Sequence, residues 1–583
     1  MVNLTINRKP ISVPEGTTIL EAAEQNGIKI PHLCWLKELN EIGACRLCSV
    51  EVEGEEKLIP SCVTPVREGM VVTADNGRVR MAARNNLAFI MSRHDGRCSS
   101  CSRSTNCRLQ DLCNTLSLDL TEYYPNIPSG RMIEWPQDFP LIRDNTRCIQ
   151  CMRCIQICKK VQGMDVWGLI GSGSWTSVGV EGMRKIEQAD CTLCGQCITH
   201  CPTAALHERN DIAKVKDVVE DPDIVTVAQI APAIRTAWGE RFGLGPEEAT
   251  INKLAGCLHT LGFDYIIDTS FGADLTIMEE ATEFLERKKR GDLDQYPMFT
   301  SCCPGWVRFV KSRYPQLVGQ LSTAKSPHIM LGAVIKSYFA EKKGIDPAKV
   351  RVVSIMPCVA KKAEADLPTQ RNENGLKDVD YVLTTRETAR MLGENNIDPR
   401  NIEDYPFDSL LGDYTGAAVI FGTTGGVMEA ALRSAAYFIT GENPDLDMFQ
   451  EIRSDKSEGK AWRELTATIG DTTVSIAVTS GLVNTNTLCR AILRGEVKYD
   501  FVEIMACPGG CSGGGGQPLH TDDVERSLTR GSVLLKMDEN MPLRYSHENP
   551  DIMKLYSEYL DKPLSERAHK LLHTDHFGWS MDD

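Results

Sequence analysis

The segment Met505-Ala506-Cys507-Pro508-Gly509-Gly510-Cys511 runs directly into Ser512-Gly513-Gly514-Gly515-Gly516, so that two cysteines and five glycines fall within the nine residues 507–515. Glycine lets the backbone approach a bulky inorganic group closely. Two further loops carry cysteines, Thr300-Ser301-Cys302-Cys303-Pro304-Gly305-Trp306 and Met356-Pro357-Cys358-Val359-Ala360-Lys361-Lys362. Together the three loops offer four thiolates that suit an iron–sulfur cluster: Cys303, Cys358, Cys507 and Cys511.

The composition places these loops in a large protein whose cysteines are reduced. A chain of 583 residues is long enough for roughly three to five domains, and its 23 cysteines favour metal binding over a disulfide framework. The N-terminus has no apolar signal core, and no apolar run approaches the ~20 residues of a membrane span. We therefore expect a cytoplasmic protein. The net charge of −15 argues against nucleic-acid binding, but it leaves room for a local basic patch that binds an acidic redox protein.

Residues 1–80 form the first predicted module. Residues 3–6 and 11–13 predict two strands around a turn at Lys9-Pro10, and residues 17–26 predict a helix that ends at Gly27. The module then has four cysteines, Cys34, Cys45, Cys48 and Cys62. The first gap holds ten residues where the plant-type [2Fe–2S] pattern has four, so the match is partial. A zinc site with four cysteine ligands is the alternative.

Residues 81–125 contain the spacing H-x3-C-x2-C-x5-C, formed by His94, Cys98, Cys101 and Cys107. A zinc site fits this spacing about as well as a [4Fe–4S] cluster does. Imidazole is neutral where thiolate is anionic, so a histidine ligand would raise the reduction potential of a cluster. Cys113 falls outside the spacing, and we interpret it as a small buried hydrophobic residue.

The strongest spacing signal is a repeat in residues 140–210. Bacterial two-cluster ferredoxins have two C-x2-C-x2-C-x3-C runs, and the fourth cysteine of each run serves the other cluster. That rule predicts one [4Fe–4S] cluster on Cys148, Cys151, Cys154 and Cys201, and another on Cys191, Cys194, Cys197 and Cys158. Lys159 replaces the usual proline after the first run. The segment between the runs, with Trp167 and Trp175, is predicted to pack around the clusters.

Residues 220–583 predict an α/β domain. Short apolar runs at 224–228, 265–268, 352–355 and 502–505 indicate strands, whereas residues 273–290 and 426–440 have helical patterns. Residues 462–478 predict a hairpin that turns at Gly470-Asp471. Alternating strands and helices imply α/β architecture. The three cysteine loops are predicted to follow strand ends, where open α/β sheets bind their ligands.

The three loops resemble, almost residue for residue, the signature loops of [FeFe]-hydrogenases, and the resemblance covers nearly the whole chain. It implies a multidomain α+β and α/β protein: a ferredoxin-like β-grasp domain (1–80), a [4Fe–4S] domain with one histidine and three cysteine ligands (81–125), a two-cluster ferredoxin domain (140–210) and an α/β H-cluster domain (220–583). The implied cofactors are one [2Fe–2S] cluster, three accessory [4Fe–4S] clusters and the H-cluster. The loop thiolates would hold the [4Fe–4S] part of the H-cluster. Cys511 would bridge to the two-iron subsite, which carries CO, cyanide and an azadithiolate.

The same resemblance implies a proton path. Cys302 would be a free thiol beside the azadithiolate, and the path would continue through Glu280, Ser322, Glu283 and Arg287. On a helix the two glutamates and the arginine are three and four residues apart, so they share one face. Without the motifs, this pattern would be interpreted as a solvated charged face.

Other residues are assigned to the pocket of the two-iron subsite. Lys361 would donate a hydrogen bond to a cyanide, whereas Lys362 is predicted to be a surface lysine. The remaining pocket residues implied by the resemblance are Met356, Met505, Ala231, Pro232, Ser326 and Pro327. His328 occupies a position where the family usually has glutamine. Cys257 and Cys489 match no ligand and are predicted to lie in the core.

The predicted activity is the interconversion of H2 with two protons and two electrons. Two other function classes are a non-catalytic electron-transfer subunit, against which the complete ligand loops argue, and a hydrogen sensor, against which Cys302 argues. The electron partner is ferredoxin if the enzyme acts alone. Alternatively, it is a flavin- and NAD(P)-binding subunit of a hetero-oligomeric complex that could be electron-bifurcating, docked on residues 1–125. NAD(P) chemistry would need such a subunit, because the chain has no Rossmann glycine fingerprint in a strand–turn–helix context.

Overall fold

The computed structural model of the protein describes residues 1–118, 134–453 and 460–581. Residues 119–125 of the second predicted module therefore lie outside the described residues, as do residues 454–459, 582 and 583 of the catalytic region. Within the described ranges, no helix is long and apolar enough to cross a membrane.

The first module is a five-stranded sheet with one helix packed on it. The elements are β1 (Val2–Ile6), β2 (Lys9–Val13), α1 (Ile19–Gln25), β3 (Ser49–Val52), β4 (Ile59–Pro60) and β5 (Met70–Thr73), and the strand order is β2-β1-β5-β3-β4. Thr18 and Glu21 cap α1 reciprocally, and Gly27 follows the helix with a φ of 74°, as the predicted helix end requires.

The turn between β1 and β2 differs from the prediction. It lies at Asn7 and Arg8, which have φ values of 47° and 67°, and not at Lys9-Pro10. Lys9 and Pro10 instead belong to β2, where they pair with β1. Proline is tolerated there because β2 is an edge strand, on which a missing backbone N–H leaves no partner unsatisfied.

Two helices form most of the second module, α2 (Gly77–Met91) and α3 (Arg108–Thr115). Their apolar faces share a core with the first module, in which Leu33 and Leu47 pack with Leu87 and Leu109. Cys113 lies in this core, as predicted, and burial raises the pKa of its thiol to about 11. The first two modules are therefore packed against each other through a common hydrophobic core.

The third module pairs two short helices with two-stranded sheets. Its elements are β6 (Leu141–Arg143), α4 (Arg153–Lys160), β7 (Trp167–Ile170), β8 (Ser177–Val180), α5 (Gln196–Thr199) and β9 (Leu206–Glu208). Both helices begin after a residue with positive φ, Met152 (63°) or Gly195 (74°), so the two cysteine runs share a local geometry. Trp167 is buried as predicted, but Trp175 is 57% exposed in the segment joining β7 and β8, so its predicted packing is wrong.

The catalytic region contains two four-stranded sheets. Its strands are β10 (Val225–Ile230), β11 (Tyr265–Asp268), β12 (Met298–Phe299), β13 (Val350–Met356), β14 (Tyr381–Thr384), β15 (Arg463–Ile469), β16 (Thr472–Ser480) and β17 (Phe501–Met505). The orders are β11-β10-β13-β14 and β12-β17-β16-β15, and every pair is parallel except β15 with β16. All four predicted strands are confirmed to within two residues at each end, as is the hairpin turn at Gly470-Asp471.

Helices cover both sheets. They are α6 (Ile212–Val219), α7 (Ile251–Leu261), α8 (Thr269–Arg290), α9 (Pro304–Arg313), α10 (Pro327–Val334), α11 (Ala340–Lys343), α12 (Ala360–Glu364), α13 (Thr385–Glu394), α14 (Gly416–Val419), α15 (Gly426–Thr440), α16 (Leu482–Leu493), α17 (Ser527–Asn540), α18 (Pro550–Leu555) and α19 (Glu566–Leu572). The predicted helices at 273–290 and 426–440 are α8 and α15; α8 begins four residues earlier than predicted, where Asp268 caps it. The three cysteine loops directly follow β12, β13 and β17, as predicted.

Candidate functional site

The three cysteine loops converge on one buried cavity. Five cysteines line it, Cys302, Cys303, Cys358, Cys507 and Cys511, although they come from loops about 200 residues apart in sequence. The loops after β12 and β17 meet because parallel strands of one sheet present their carboxyl ends at the same edge, and the loop after β13 joins them from the other sheet. Other predicted pocket residues line the same cavity: Ala231, Pro232, Pro327, Met356, Lys361 and Met505. His328 lines it as well, and Ser326 is buried immediately before Pro327.

The glycines after Cys511 hold these loops at contact distance. A Cβ atom at Gly514 would lie 2.2 Å from the Pro357 carbonyl oxygen, and one at Gly515 would lie 2.3 Å from that of Cys194. Both contacts are far shorter than any Cβ tolerates, so only glycine allows this close approach. The glycine run therefore presses the Cys511 loop against the Cys358 loop on one side and against the third module on the other.

The electrostatics of the cavity suit a cationic iron cluster. Burial raises the pKa of Cys358 to about 11 and that of Cys511 to about 12, and it also raises the pKa of Cys303 and Cys507. Four thiolates in one apolar cavity are unstable without a metal, whereas metal binding deprotonates them. The backbone N–H of Ala506 points at Cys303 Sγ from 3.4 Å, a contact that favours the thiolate. The residues present thus fit a thiolate-ligated cluster.

Lys361 carries a positive charge into this cavity. Its ammonium group donates to the Cys302 carbonyl oxygen at 3.0 Å and to Glu364 Oε2 at 2.7 Å. His328 also contacts Glu364, with 2.7 Å between Nε2 and Oε2, and its Nδ1 lies 3.1 Å from Ser354 Oγ. The histidine that replaces the usual glutamine therefore keeps polar contacts, and it shares a carboxylate with Lys361.

Lys362 is not the surface lysine that the sequence predicts. Its side chain is fully buried, and its ammonium group lies 2.8 Å from Asp211 Oδ2 and 3.1 Å from Glu387. It also donates to the Val382 carbonyl oxygen at 2.6 Å. The prediction is wrong because α12 is buried on both sides, and two carboxylates supplied by distant segments neutralise the lysine in the interior.

The predicted proton-path residues come from α8, from the loop after β12 and, for Ser322, from the segment between α9 and α10. Ser322 Oγ donates to Glu283 Oε2 at 2.9 Å, and Arg287 donates to Glu283 Oε1 at 2.6 Å. These residues are buried or mostly buried, so the interpretation as a solvated charged face is wrong. The side chains of Ser322, Glu283 and Arg287 therefore form a connected polar track inside the protein.

Glu280 and Cys302 occupy the inner end of this track. Glu280 is fully buried, and within the described residues neither carboxyl oxygen has a hydrogen-bond partner. Burial raises its pKa to about 8, and the neighbouring charge of Glu283 adds to the shift. Burial also raises the pKa of Cys302 well above its usual value, and the charge of Glu280 adds to that shift. At neutral pH both groups therefore carry exchangeable protons.

The third module brings cysteines of its two runs close to one another, and the assignment of two crossed ligand sets stays a prediction. Cys158 of the first run lines one small cavity together with Cys191, Cys194 and Cys197 of the second run. In the other set, the charges of Cys148 and Cys201 both act on the buried thiols of Cys151 and Cys154. Burial raises the pKa of each of these two thiols, which again favours metal-bound over free thiolates.

The first module brings its four predicted ligands together, and the second brings its three predicted cysteine ligands near one another. In the first, the backbone N–H of Cys45 lies 3.5 Å from Cys34 Sγ, and hydrogen bonding to Cys34 lowers the pKa of Cys45 to about 6. Cys48 and Cys62 form a similar pair in which hydrogen bonding lowers the pKa of Cys48. In the second, the charge of Cys101 acts on both Cys98 and Cys107.

His94 has the environment of a metal-binding histidine. It is buried, its pKa is lowered by that burial, and its Nδ1 lies 3.1 Å from the Arg147 carbonyl oxygen. A carbonyl accepts a hydrogen bond, so Nδ1 carries the proton and Nε2 is left as the basic nitrogen. Such a second hydrogen bond is the usual way in which a ligating imidazole is oriented.

Short polar contacts connect the candidate cluster sites. Cys507 Sγ lies 3.6 Å from the Cys194 carbonyl oxygen, which joins the loop cavity to the third module. Asn40 Nδ2 donates to the carbonyl oxygens of Cys34 and Cys151, at 2.6 and 2.9 Å. Arg103 donates to the Cys201 carbonyl oxygen at 2.8 Å. The first and second modules therefore both contact the cysteine set that contains Cys151 and Cys201.

Several residues near the track carry no sequence signal. Thr323 donates to Glu283 Oε1 at 3.1 Å, and its hydroxyl lies 2.8 Å from His573 Nδ1. His573 comes from a segment 250 residues further along the chain, so no local spacing could have predicted this contact. Thr323 follows Ser322 directly, and that adjacency to a predicted path residue is the one available hint.

Comparisons with domain families match the chain in five consecutive pieces. Residues 1–77 match a 2Fe-2S iron-sulfur cluster binding domain, 84–120 an NADH-ubiquinone oxidoreductase-G iron-sulfur binding region, and 140–207 the ferredoxin-like domain of NADH-quinone oxidoreductase subunit 3. Residues 224–515 match the iron only hydrogenase large subunit, C-terminal domain, and residues 524–579 match the iron hydrogenase small subunit.

Individual proteins are similar over the whole chain. The NADP-reducing hydrogenase subunit HndD of Solidesulfovibrio fructosivorans is 44% identical over 588 aligned residues, covering 99% of both chains. Iron hydrogenase 1 of Clostridium pasteurianum is 38% identical, covering 98% of this chain and 99% of its own. A solved structure of an apo [FeFe]-hydrogenase, HydA1 from Chlamydomonas reinhardtii, is 40% identical with a TM-score of 0.54, covering 63% of this chain and 98% of that one.

Proposed function

Since the chain belongs to the [FeFe]-hydrogenase family and is an oxidoreductase that acts on H2, we propose that it is the catalytic subunit of an NAD(P)-linked hydrogenase complex. The observation that carries the catalytic part is the convergence of three loops on one cavity, with four candidate ligands and one further thiol, Cys302. A non-catalytic electron-transfer subunit needs neither the fifth cysteine nor the buried carboxylates behind it. A hydrogen sensor is disfavoured for the same reason.

In this proposal Cys303, Cys358, Cys507 and Cys511 would hold the H-cluster, and Cys511 would serve both of its parts. When bound, the H-cluster supplies the cleavage and formation of H2 and accepts or releases the two electrons. The protein supplies the apolar walls that exclude water, chiefly Pro232, Met356 and Met505. Lys361 supplies a fixed positive charge and a donor that can reach a diatomic ligand.

Proton transfer in this proposal follows the track behind Cys302. Glu280 holds a proton at neutral pH because its pKa is raised to about 8, so it can exchange with the Cys302 thiol on one side. On the other side, Ser322 carries the proton to Glu283 across the 2.9 Å hydrogen bond. Arg287 lies at the end of the track and holds Glu283 in place. These roles are proposals for the described side chains.

The accessory sites are proposed to hold one [2Fe–2S] cluster and three [4Fe–4S] clusters. The order of contacts gives a branched arrangement. The loop cavity contacts the predicted cluster site that contains Cys194. The other predicted cluster site of the third module, which contains Cys151 and Cys201, contacts the first module through Asn40 and the second module through Arg103. Two N-terminal ends suit an enzyme that exchanges electrons with a partner complex.

His94→Cys is expected to keep a [4Fe–4S] cluster in the second module and to lower its reduction potential. The added thiolate charge stabilises the oxidised cluster, and the buried site amplifies that effect. Redox titration followed by electron paramagnetic resonance measures the shift. Stoichiometric zinc in this module of the wild-type protein would contradict the assignment and favour the zinc alternative.

The partner proposal is supported by similarity to the NADP-reducing hydrogenase subunit and by an exposed apolar surface on α2. Met81 and Phe89 lie eight residues apart on this helix and are 65% and 71% exposed. Arg93 near the end of the helix donates to the Thr176 carbonyl oxygen at 3.5 Å, next to exposed Trp175. We propose that a flavin- and NAD(P)-binding subunit docks here, in a hetero-oligomer.

The docking proposal predicts that Met81→Lys with Phe89→Lys abolishes H2-dependent NAD(P) reduction by the reconstituted complex. H2 oxidation with an artificial dye should survive, because the loop cavity is untouched. Phe577→Lys is the matched control, since Phe577 is 68% exposed on the C-terminal segment. Assays with NAD(P), ferredoxin and both together would identify bifurcation by a requirement for both. Rapid reduction of ferredoxin by the isolated chain, with no co-purifying subunit, would favour the stand-alone enzyme.

A further inference from the structure

Glu283 has two outlets, and they differ in chemistry. Arg287 forms one, but a guanidinium stays protonated at any physiological pH and cannot hand a proton on. The other outlet starts at Thr323, which donates to Glu283 Oε1 at 3.1 Å through its hydroxyl and at 3.2 Å through its backbone N–H. Beyond Thr323 lies His573, whose imidazole has two ring nitrogens that can accept and donate protons.

His573 is held by partners on both ring nitrogens. Its Nδ1 lies 2.8 Å from Thr323 Oγ1, and its Nε2 lies 3.1 Å from Glu279 Oε2. Glu279 is fully buried and also accepts hydrogen bonds from the Tyr556 hydroxyl and from the backbone N–H of Leu564. Three donors around one carboxylate hold Glu279 in place, so that it accepts a hydrogen bond from the imidazole.

The protein surface is reached at His569, the residue that packs against His573 on its outer side. His573 itself is 7% exposed, but the exposed ring of His569 stacks on it with 4.3 Å between centroids. The two histidines are four residues apart at the end of α19, which places them on one face of the helix. Buried carboxylate, hydroxyl, buried imidazole and exposed imidazole thus follow one another outward.

We propose that Thr323, His573 and His569 form a second proton exit from Glu283, with His573 as the relay residue. The proposal rests on the proposed function, because it requires Glu283 to carry protons. In the outward step, protonated Glu283 gives its proton to the Thr323 oxygen while the hydroxyl proton of Thr323 passes to His573 Nδ1. One proton has moved and no electron has. The resulting imidazolium is stabilised by its Nε2 hydrogen bond to Glu279, and turning of the ring toward the exposed His569 releases the Nδ1 proton to solvent.

The groups that set the titration of this relay come from four segments. The segments are α8, the loop before α10, the segment after α18, and α19. Helix α8 contributes Glu279, Glu283 and Glu286, and α19 contributes His569. Lys325 comes from the loop before α10 and is paired with Asp378, and Tyr556, after α18, is hydrogen-bonded to Glu279. The three carboxylates raise the pKa of His569, while burial and the charge of His573 lower it, and the net direction is downward. His569 therefore releases its proton readily at neutral pH.

The test is His573→Gln, which keeps a hydrogen-bonding side chain but removes the titrating nitrogen. We expect about a tenfold lower rate of H2 oxidation, less than the ~100-fold typical of a lost acid–base group, because Glu283 and the loop cavity stay intact. The limb of the pH–rate profile that follows histidine ionisation should disappear. In His573→Gly, added imidazole should restore the rate. In protein without the two-iron subsite, the infrared band of the Glu283 carboxyl should titrate at a different pH in His573→Gln than in wild type.

His547→Gln is the matched control. His547 is also a buried, stacked histidine, hydrogen-bonded to Ser434 and Asn443, and it has no contact with the Glu283 track in the described structure. We expect its rate and pH profile to match the wild type. If His573→Gln folds poorly, His569→Gln, at an exposed position, should show a smaller loss with the same pH signature.

Two outcomes distinguish a failure of the second proton exit from a failure of the proposed proton route through Glu283. A wild-type rate and pH profile in His573→Gln, with Glu283→Gln inactive, would overturn the second exit alone. Full activity in Glu283→Gln would overturn the proton route itself. Imidazole that fails to rescue His573→Gly, in a variant with wild-type melting temperature, would also count against the relay.

Discussion

Cys302→Ala is expected to lower H2 turnover by at least about 100-fold while leaving every cluster site intact. Cys302 lines the loop cavity, but the next residue, Cys303, is the one proposed as a ligand, so the substitution removes a thiol without removing a ligand. Its raised pKa keeps the thiol protonated and able to donate. Dye-coupled H2 oxidation measures the loss, and the infrared bands of iron-bound CO and cyanide should persist.

Cys489→Ala provides the control for this variant. Cys489 is fully buried, and burial raises its pKa to about 12, but it lies in the core away from the cavity lining, as predicted for a residue that matches no ligand. The same holds for Cys257. Removing the buried sulfur at Cys489 should cost about 1 kcal/mol of stability and no activity. Wild-type turnover in Cys302→Ala would show that protons reach the cavity by another route.

Much of this protein can be predicted from its sequence because the informative patterns are local. A cysteine run constrains its own ligand geometry, and an apolar run of five residues followed by a glycine-rich loop describes a buried strand and its end. The four strands, the hairpin at Gly470-Asp471 and the position of the loops follow from such patterns. The crossed cysteine set around Cys158 follows from the ferredoxin spacing rule in the same way.

Predictions that depend on tertiary contacts are more often wrong than those that depend on local patterns. Lys362 is predicted from the sequence to be a surface lysine because its two carboxylate partners lie 151 and 25 residues away along the chain. Trp175 is predicted to be buried because tryptophan side chains usually are, but the segment that joins β7 and β8 exposes it. Nothing in the sequence links His573 to Thr323. Long-range pairs of this kind arise from how helices pack, and the spacing of residues along the sequence does not predict them.

The packing of the modules also bears on electron transfer. Arg153 is buried, donates to the carbonyl oxygens of Cys34 and Trp35 at 3.2 and 2.9 Å, and pairs with Asp523 at 2.6 Å. One guanidinium therefore connects the first module, the third module and the C-terminal segment. Buried charge pairs hold geometry firmly because breaking them leaves an unpaired charge. Among the described residues, such contacts between the modules set the spacing of the candidate cluster sites.

Glu280→Gln is expected to affect activity and stability in opposite directions. The amide cannot exchange a proton with Cys302, so H2 turnover should fall by about 100-fold or more. Glu280 has a pKa of about 8 in the folded protein and about 4.5 when unfolded, since burial disfavours its charged form. Between these values the folded state holds the extra proton, so the wild type loses stability as pH rises from about 4.5 to about 8.

The glutamine variant lacks that ionisation, so its stability should change less over this pH range. Relative to wild type, its melting temperature should rise progressively from pH 5 to pH 8 while its activity stays low at every pH. Differential scanning calorimetry and dye-coupled H2 oxidation on the same samples measure both effects. Glu387→Gln is a useful comparison, because Glu387 is equally buried but paired with Lys362, so its loss should destabilise the protein at neutral pH. A Glu280→Gln variant with normal turnover would remove Glu280 from the proton route, whatever its melting behaviour.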